Sequence, residues 1–502
     1  MLVKHALCYT TRMALDPEPA LRGFLSSRRG GAFAALLLLG MVAFALFARL
    51  DYPAQGRISE QRCLSVVSEM LRTGNFLVPN LGGQPRLQKP PLFYWLGAAV
   101  ATRTGDAVNP WALRAVSATA ALGVVALVFA WGRALGGPGV GLLAGALLAA
   151  MLQLMSSGRR GDAEMLLALT STAALFTFDR LDARRRRALL PVFAFAGGLA
   201  ILTKATAVVL GVALPILVYL WLRRELRVLR DPGVIATCAG AIALGLSWYV
   251  AIVIFVPGAL DTLYHALVLP MGGKGARGDS IHHRAPWWYL AVLPVRALPA
   301  SLVLPFAVWR LWRTRVYRDE PRLRFAALCF LVPFVAFSIL PQKQKHYTLA
   351  MLPGLALVSA DALVAAAREL RPWLAGFLRA VGAPLAAAGL ALAWIFALYF
   401  HWVEASTAAG LLASSGLPLL LLTGALVAGL FARPASFATG LFTGLLLVAA
   451  TYRIVGPRVA AIPIDFTKRS LDERERLAAV AREHTWFARL LLNAPNPDSD
   501  DD

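Results

Sequence analysis

Charged residues are scarce in this sequence of 502 residues: they make up 16% of it, whereas a soluble domain has about a quarter. Acidic residues are the rarer kind, 28 against 50 lysines and arginines, and 58% of the chain is apolar. Apolar runs of ~20 residues recur along the chain, and runs of this length are typical of helices that cross a bilayer. The composition excludes a soluble globular protein and predicts an all-α polytopic membrane protein.

Cysteine is also rare. The four cysteines, Cys8, Cys63, Cys238 and Cys329, show no CxxC spacing. Disulfide frameworks and cysteine zinc sites use closely or regularly spaced thiols, so neither is predicted. No cluster of histidine and cysteine demands a metal, and no cofactor is required by the sequence.

Thirteen apolar runs divide the chain into three parts. Residues 1–31 are predicted to form a cytoplasmic N-terminal segment, residues 32–453 a transmembrane domain, and residues 454–502 a small periplasmic region with an acidic end. The stretch 188–222 counts as one span or two, since Lys204 lies where a tight hairpin would turn. The predicted spans are 32–50, 111–133, 139–157, 163–179, 188–203, 205–222, 232–256, 287–309, 325–340, 346–366, 377–400, 408–431 and 435–453.

Arginine is concentrated in loops that fall on one side of the membrane if there are thirteen spans. These segments are 180–187, 223–230, 310–324 and 368–371, together with Arg28 and Arg29. The positive-inside rule makes that side the cytoplasm of a bacterial inner membrane. The loops explain most of the net charge of +22 without a nucleic-acid partner. The loops 51–110 and 257–286 then face the periplasm.

The first periplasmic loop contains two predicted helices beside the membrane. Residues 58–71 have apolar side chains at helical spacing, which is typical of an amphipathic helix lying on the bilayer. Pro90 and Pro91 suit the first turn of a second helix, where a missing N–H costs nothing. Lys89 therefore lies beside a helix N-terminus, which favours an anion. The plain alternative is a lysine that extends to the lipid head groups.

This loop resembles the first external loop of membrane glycosyltransferases of GT-C architecture. The branch it is most similar to contains the aminoarabinose–lipid A transferases and the bacterial relatives of protein O-mannosyltransferases. The resemblance implies a sugar donor carried on a polyprenyl phosphate, an acceptor glycolipid or protein, and transfer at the periplasmic face. The residues that carry it are Glu60-x-Arg62, Gly74, Pro79, Gly82 and Lys89-Pro90-Pro91-x-x-Tyr94-Trp95.

Further external motifs fit the same family, and together they supply the candidate site. The resemblance implies catalytic carboxylates at Glu60 and at Glu164, with Asp162 as the rival of Glu164. Carboxylates at the edge of a span are otherwise simple boundary residues, and lysines there are interfacial anchors. The predicted substrate-binding residues are Arg62, Lys89, Arg159, Lys204, His283, Arg284, Lys343, Lys345, His346 and Tyr347.

The chemistry of the donor explains this choice of residue types. A sugar on a polyprenyl phosphate leaves a phosphate behind, and basic side chains stabilise the charge that develops on it. A carboxylate can take the proton of an acceptor hydroxyl. One departure from the family is Ser59, where an aspartate usually precedes the glutamate. If Glu60 and Glu164 approach each other, they could also share a divalent metal ion.

Two other function classes remain open from the sequence. A transporter or flippase of lipid-linked substrates would have as many spans, but it should show repeated halves and charge at mid-bilayer. A scaffold that only binds membrane lipids needs no acidic motifs. The charges cluster instead at one face, which favours a glycosyltransferase.

Overall fold

A computed structural model describes residues 27–47, 50, 58–104, 110–181, 186–264, 284–314 and 320–369. The described part is mostly helical, with one two-stranded ribbon. In chain order the helices are α1 (Arg28–Phe47), α2 (Ile58–Thr73), α3 (Leu92–Thr104), α4 (Trp111–Gly136), α5 (Pro138–Ala150), α6 (Leu152–Gly158), α7 (Glu164–Asp179), α8 (Arg186–Val208), α9 (Leu214–Leu222), α10 (Pro232–Phe255), α11 (Ala259–Leu263), α12 (Trp288–Arg296), α13 (Ala300–Thr314), α14 (Pro321–Ile339) and α15 (Leu352–Glu369). A π-helix covers Val209–Ala213, and 3-10 helices cover Leu226–Arg230 and Lys345–Ala350.

Within the described residues, five apolar helical stretches are long enough to cross a membrane, and one of them is the whole of Ala188–Leu222, which turns back on itself at Lys204. The number rises to seven if two bent pairs each count as one span: α5 with α6, bent by 66°, and α12 with α13, bent by 116°. The chain is therefore a multi-pass helical membrane protein. The predicted count of thirteen is not confirmed, because the spans at 377–453 and the tail lie outside the described residues.

The chain reverses direction at Lys204. Its backbone leaves the helical region there (φ −167°, ψ 86°). Phe193 before the break and Tyr219 after it both contact Phe178, with ring centroids 6.4 and 6.1 Å away. A continuous helix would separate Phe193 from Tyr219 by about 39 Å. Residues 188–222 therefore form a hairpin, with Lys204 at its turn.

The described part of the loop 51–110 contains the two helices that the sequence predicts, α2 and α3. The buried face of α2 contains Cys63, Val66, Val67 and Met70 and belongs to one apolar cluster with the start of α3. Between the two helices, β1 (Asn80–Leu81) pairs antiparallel with β2 (Gln84–Pro85). Their turn is formed by Gly82 and Gly83, both with positive φ, which is the conformation that a two-residue hairpin favours.

A buried ion pair joins this loop to the bundle. Arg114, in the first turn of α4, donates to both carboxylate oxygens of Glu60 on α2, at 2.6 and 2.9 Å. Its guanidinium also donates to the Leu50 carbonyl oxygen at 2.8 Å. Both charged side chains are 0% exposed. Glu60 further accepts the Gly161 N–H at 2.7 Å, so the pair holds the turn that precedes α7.

Replacing one partner of this pair should destabilise the protein strongly. Arg114→Ala leaves a buried carboxylate without its charge partner, which typically costs about 3–5 kcal/mol. The double variant Glu60→Met/Arg114→Met leaves no buried charge and should recover much of the loss. Thermal unfolding of the detergent-purified variants measures both effects. Equal melting temperatures for wild type and Arg114→Ala would contradict a structural role of the pair.

Candidate functional site

Glu164 lies at the centre of the candidate site. It is the first residue of α7, and its side chain is 8% exposed. The Lys204 ammonium donates to both of its carboxylate oxygens, at 2.9 and 3.2 Å. Lys89 Nζ lies 3.9 Å from Oε1, and His346 Nε2 lies 3.5 Å from the same oxygen. Four separate segments of the chain therefore meet at one carboxylate.

Local backbone features position the three side chains around Glu164. Lys204 lies at the turn of the 188–222 hairpin, where the backbone leaves the helical conformation. Lys89 precedes Pro90 and Pro91, and α3 begins immediately after them. His346 lies in the 3-10 helix between α14 and α15. The π-helix that follows Lys204 brings Gly211 close to Ala350 of the 3-10 helix, and π-helical turns are frequent at functional sites.

The ionisation of the groups around Glu164 follows from burial and charge. Burial lowers the pKa of His346 to about 3, so its imidazole is neutral near pH 7. Burial is the largest influence on Lys89 and opposes its charge, but Glu164 and the other acidic groups around it together outweigh burial, and the pKa of Lys89 is raised. Lys204 and Lys89 are therefore the cations that neutralise Glu164. Within the part of the chain that the structure describes, His346 Nε2 has no hydrogen-bond partner.

Aromatic rings pack beside Lys204 and the 3-10 helix. The Tyr347 ring centroid lies 5.4 Å from Lys204 Nζ, within the range of a cation–π contact. The His346 ring meets Tyr347 edge to face at 4.8 Å, and Phe337 of α14 packs against Tyr347 at 5.1 Å. These contacts fix the position of the 3-10 helix against the hairpin turn.

Asp162 lies beside Glu164 with different electrostatics. Its carboxylate is buried, accepts the Glu164 N–H at 3.3 Å, and has Arg160 at 3.6 Å. Burial raises the pKa of Asp162, and the charge of Arg160 only partly offsets it. Asp162 is therefore the more basic of the two carboxylates. A carboxylate whose pKa is raised towards neutrality is better suited to accept a proton.

A narrow slot leads from Glu164 into the bundle. Its volume is about 40 Å³. One face of α7 forms a wall of the slot, through side chains three or four residues apart, which lie on the same side of a helix. The lining residues on α7 are Glu164, Leu167, Ala168, Ser171, Thr172 and Leu175.

Three of the predicted substrate-binding residues do not contact Glu164: one is exposed on α2, and two donate hydrogen bonds to backbone carbonyl groups. Arg62 is on the exposed face of α2. Arg159 is buried and donates to the Ala45 and Leu46 carbonyl oxygens, at 2.6 and 3.2 Å. It thereby satisfies carbonyl groups at the C-terminal end of α1. Lys343, also buried, donates to the carbonyl oxygens of Arg284 and Leu340. Their roles in substrate binding stay predictions.

Arg284 and Lys345 lie at the polar turn 341–347. The Arg284 N–H donates to the Pro341 carbonyl oxygen at 3.2 Å, and its side chain is exposed. Burial lowers the pKa of Lys345 to about 7, with contributions from Arg296, Arg160 and Arg284. His283 lies outside the described residues.

Sequence reasoning missed Arg114 and Arg296. A lone arginine inside an apolar run is an observable signal, because an intramembrane charge needs a partner or a polar cavity. Arg114 has that partner in Glu60. Arg296, at the end of α12, lies close enough to Lys345 to affect its charge.

The described residues contain no group of three or more histidine, cysteine, aspartate or glutamate side chains arranged to hold a metal ion. Glu60 and Glu164, the pair considered for a shared divalent ion, each bond to a basic side chain instead.

Residues 88–255 match the family model described as dolichyl-phosphate-mannose-protein mannosyltransferase. Two similar proteins are undecaprenyl phosphate-alpha-4-amino-4-deoxy-L-arabinose arabinosyl transferases. The one from Pseudomonas fluorescens (strain Pf0-1) is 29% identical over 64% of this chain and 57% of its own length. The one from Pseudomonas aeruginosa (strain LESB58) is 30% identical over 64% of this chain and 59% of its own. The chain thus spans less than two thirds of the length of these relatives.

The fold is also similar to solved structures. The crystal structure of ArnT from Cupriavidus metallidurans bound to undecaprenyl phosphate gives a TM-score of 0.65 at 19% identity, covering 91% of this chain and 82% of that one. Its apo state gives 0.66 at 18% identity, over 91% and 81%. These two structures show that the chain has the fold of ArnT. Together with the family and sequence matches, they confirm the predicted resemblance to GT-C type, polyprenyl-phosphate-sugar-dependent membrane glycosyltransferases.

Proposed function

We propose that this protein transfers a sugar from a polyprenyl phosphate donor of the undecaprenyl type to an acceptor glycolipid or protein. The observation that carries the proposal is the convergence of Lys89, Lys204 and neutral His346 on Glu164. The names of the similar proteins favour an aminopentose as the sugar. The positive-inside rule favours the periplasmic face of the inner membrane as the place of transfer.

The donor phosphate binds between Lys89 and Lys204. An ammonium group has three donors, so each lysine can bond to a phosphate oxygen while it stays near Glu164. His346 Nε2, which lacks a partner among the described residues, can take a further hydrogen bond to the donor.

Transfer forms a bond from an acceptor oxygen to the anomeric carbon of the sugar and breaks the bond from that carbon to the phosphate oxygen. The polyprenyl phosphate leaves with one more negative charge, which the two lysines stabilise. For a hydroxyl acceptor, Asp162 takes the proton, because its pKa is raised. Glu164 holds the lysines in place, since its carboxylate is bonded to Lys204. Glu60 positions the turn through the Gly161 N–H.

Lys89→Ala should weaken binding of undecaprenyl phosphate and slow transfer. Loss of one hydrogen bond between charged groups costs about 1.5–3 kcal/mol, or roughly 10- to 150-fold in affinity. The matched control is Arg72→Ala, which removes an exposed cation from the same loop and should leave affinity within about twofold. Binding is measured by titrating undecaprenyl phosphate into the detergent-purified protein. Equal affinities for Lys89→Ala and wild type would refute the phosphate assignment.

We also place Lys345, which directly precedes His346, at the donor phosphate, so the affinity of the wild type relative to that of Lys345→Arg should fall as the pH rises through about 7, the pKa of Lys345. Only the protonated amine attracts the phosphate, so the favourable charge is present below this pKa and is lost above it. His346 does not contribute in this range, because its pKa is about 3. Lys345→Arg keeps its charge at all these pH values and should remove this part of the pH dependence.

Binding titrations from about pH 6 to about pH 8.5 cover the protonated and neutral forms of Lys345. The free ligand titrates identically in both series, so the difference between the two profiles reports the exchange at position 345. Superimposable profiles for wild type and Lys345→Arg would show that this lysine does not contact the phosphate.

A further inference from the structure

A second cavity lies at the opposite end of α7 from Glu164. Its volume is about 1090 Å³, and it lies among the ends of α7, α8, α9, α10 and α14. Asp179, the last residue of α7, is one of its lining residues. The length of α7 separates the cavity from Glu164 by about 22 Å, at 1.5 Å per residue. The cavity is therefore distinct from the site of proposed sugar transfer.

The inner wall of this cavity is aromatic and aliphatic. Phe325 packs against Phe178 and Tyr219 with ring centroids 5.0 Å away in each case. Phe193 contacts Phe178 from α8, and Ile216 completes this side. Apolar walls with few polar groups are typical of sites for hydrophobic ligands. The wall can hold a hydrocarbon chain.

The rim carries charges of both signs. Arg223 pairs with Glu225 at 2.8 Å, and Arg310 pairs with Asp361 at 2.8 Å. The third arginine is Arg322, which donates to the Ala134 carbonyl oxygen over 3.4 Å, a long hydrogen bond. Asp179 and Glu320 are further acidic residues of the lining. Three cations face four anions, so the rim does not favour a ligand of net negative charge. A head group with both charges matches it better.

The lip of the cavity is apolar on its outer side. Trp221 and Leu222 end α9 and are exposed, and Leu226 and Leu229 of the following 3-10 helix are exposed as well. Leu229 also lines the cavity. In a membrane protein, exposed apolar residues of this kind contact lipid. An amphiphile in the bilayer therefore has a continuous apolar path to the inner wall.

We propose that this cavity binds a zwitterionic glycerophospholipid such as phosphatidylethanolamine. One acyl chain lies among Phe178, Tyr219 and Phe325. The lipid phosphate bonds to Arg322, and the ammonium group lies beside Glu320. The loops around this end are rich in arginine, so the ligand comes from the cytoplasmic leaflet. This binding site is independent of the proposed transfer reaction.

Cys238 provides a direct test, because it lines the cavity and is exposed, whereas Cys63 and Cys329 are buried. Cys8→Ser removes the fourth cysteine, so that a maleimide reports Cys238 alone. In delipidated, detergent-purified protein, added phosphatidylethanolamine should slow the labelling of Cys238 at least about tenfold, a change equivalent to about 1.4 kcal/mol. Phosphatidylglycerol at the same concentration should protect much less, because it lacks the ammonium group.

Two variants examine the head-group contact. Arg322→Ala should raise the phosphatidylethanolamine concentration needed for half-protection roughly tenfold or more, by loss of a charged hydrogen bond. Arg227→Ala is the matched control, because Arg227 is exposed at the same end and is absent from the lining. The comparison of the two lipids uses the protein that retains Arg322. It therefore remains a test of the proposal even if Arg322→Ala does not fold.

Three results would overturn the proposal. No protection by any phospholipid would show that the cavity does not bind one. Equal protection by phosphatidylglycerol and phosphatidylethanolamine would show that the rim does not select a zwitterion. Stronger protection by undecaprenyl phosphate than by phosphatidylethanolamine would make the cavity a second donor-lipid site instead.

Discussion

The candidate site depends on the ion pair between Glu164 and Lys204. A buried carboxylate is costly unless a cation and hydrogen bonds compensate it, and Lys204 meets this need with contacts to both oxygens. The pair forms only if the hairpin at 188–222 turns at Lys204. Lys89 and His346 lie near the same carboxylate oxygen of Glu164. In this way one carboxylate holds together segments that are far apart in the sequence.

The fully buried basic residues near Glu164 have a different structural role from the partly exposed ones. Arg114, Arg159 and Lys343 donate to a carboxylate or to backbone carbonyl oxygens, and they fix the loops between helices. Lys89 and Lys204 retain about a fifth to a quarter of their side-chain exposure, so a ligand can reach them. The basic residues at this end of the bundle are thus of two kinds: those that fix the backbone and those that a ligand can contact. The proposed transfer mechanism needs only the second kind.

Local sequence signals predicted the parts of the fold that depend on local chemistry. The apolar spacing of residues 58–71 predicted α2, the two prolines predicted the start of α3, and Lys204 was expected at a turn. The bend between α5 and α6 was not predicted, because it arises from one extended residue, Met151, inside an apolar run. Hydropathy does not detect such a residue.

The partners of charged residues were the other feature that the sequence could not supply. Glu60 was predicted as a catalytic carboxylate from its motif, yet its partner Arg114 lies 54 residues away on another helix. Similarly, the sequence favoured Glu164 over Asp162 as the second catalytic carboxylate, but it could not show how the surroundings of the two side chains differ. Burial and the neighbouring cations distinguish them: Lys204 is bonded to Glu164, while the pKa of Asp162 is raised.

A double-mutant cycle between Glu164 and Lys204, measured as affinity for undecaprenyl phosphate, tests the central claim most directly. Glu164→Gln and Lys204→Gln are made singly and together, since groups in direct contact show a coupling energy of about 0.5–3 kcal/mol. If the two residues act as one unit, the double variant should bind no worse than the weaker of the two single variants. Losses that simply add, within about twofold, would show that the two residues act independently and would contradict the account.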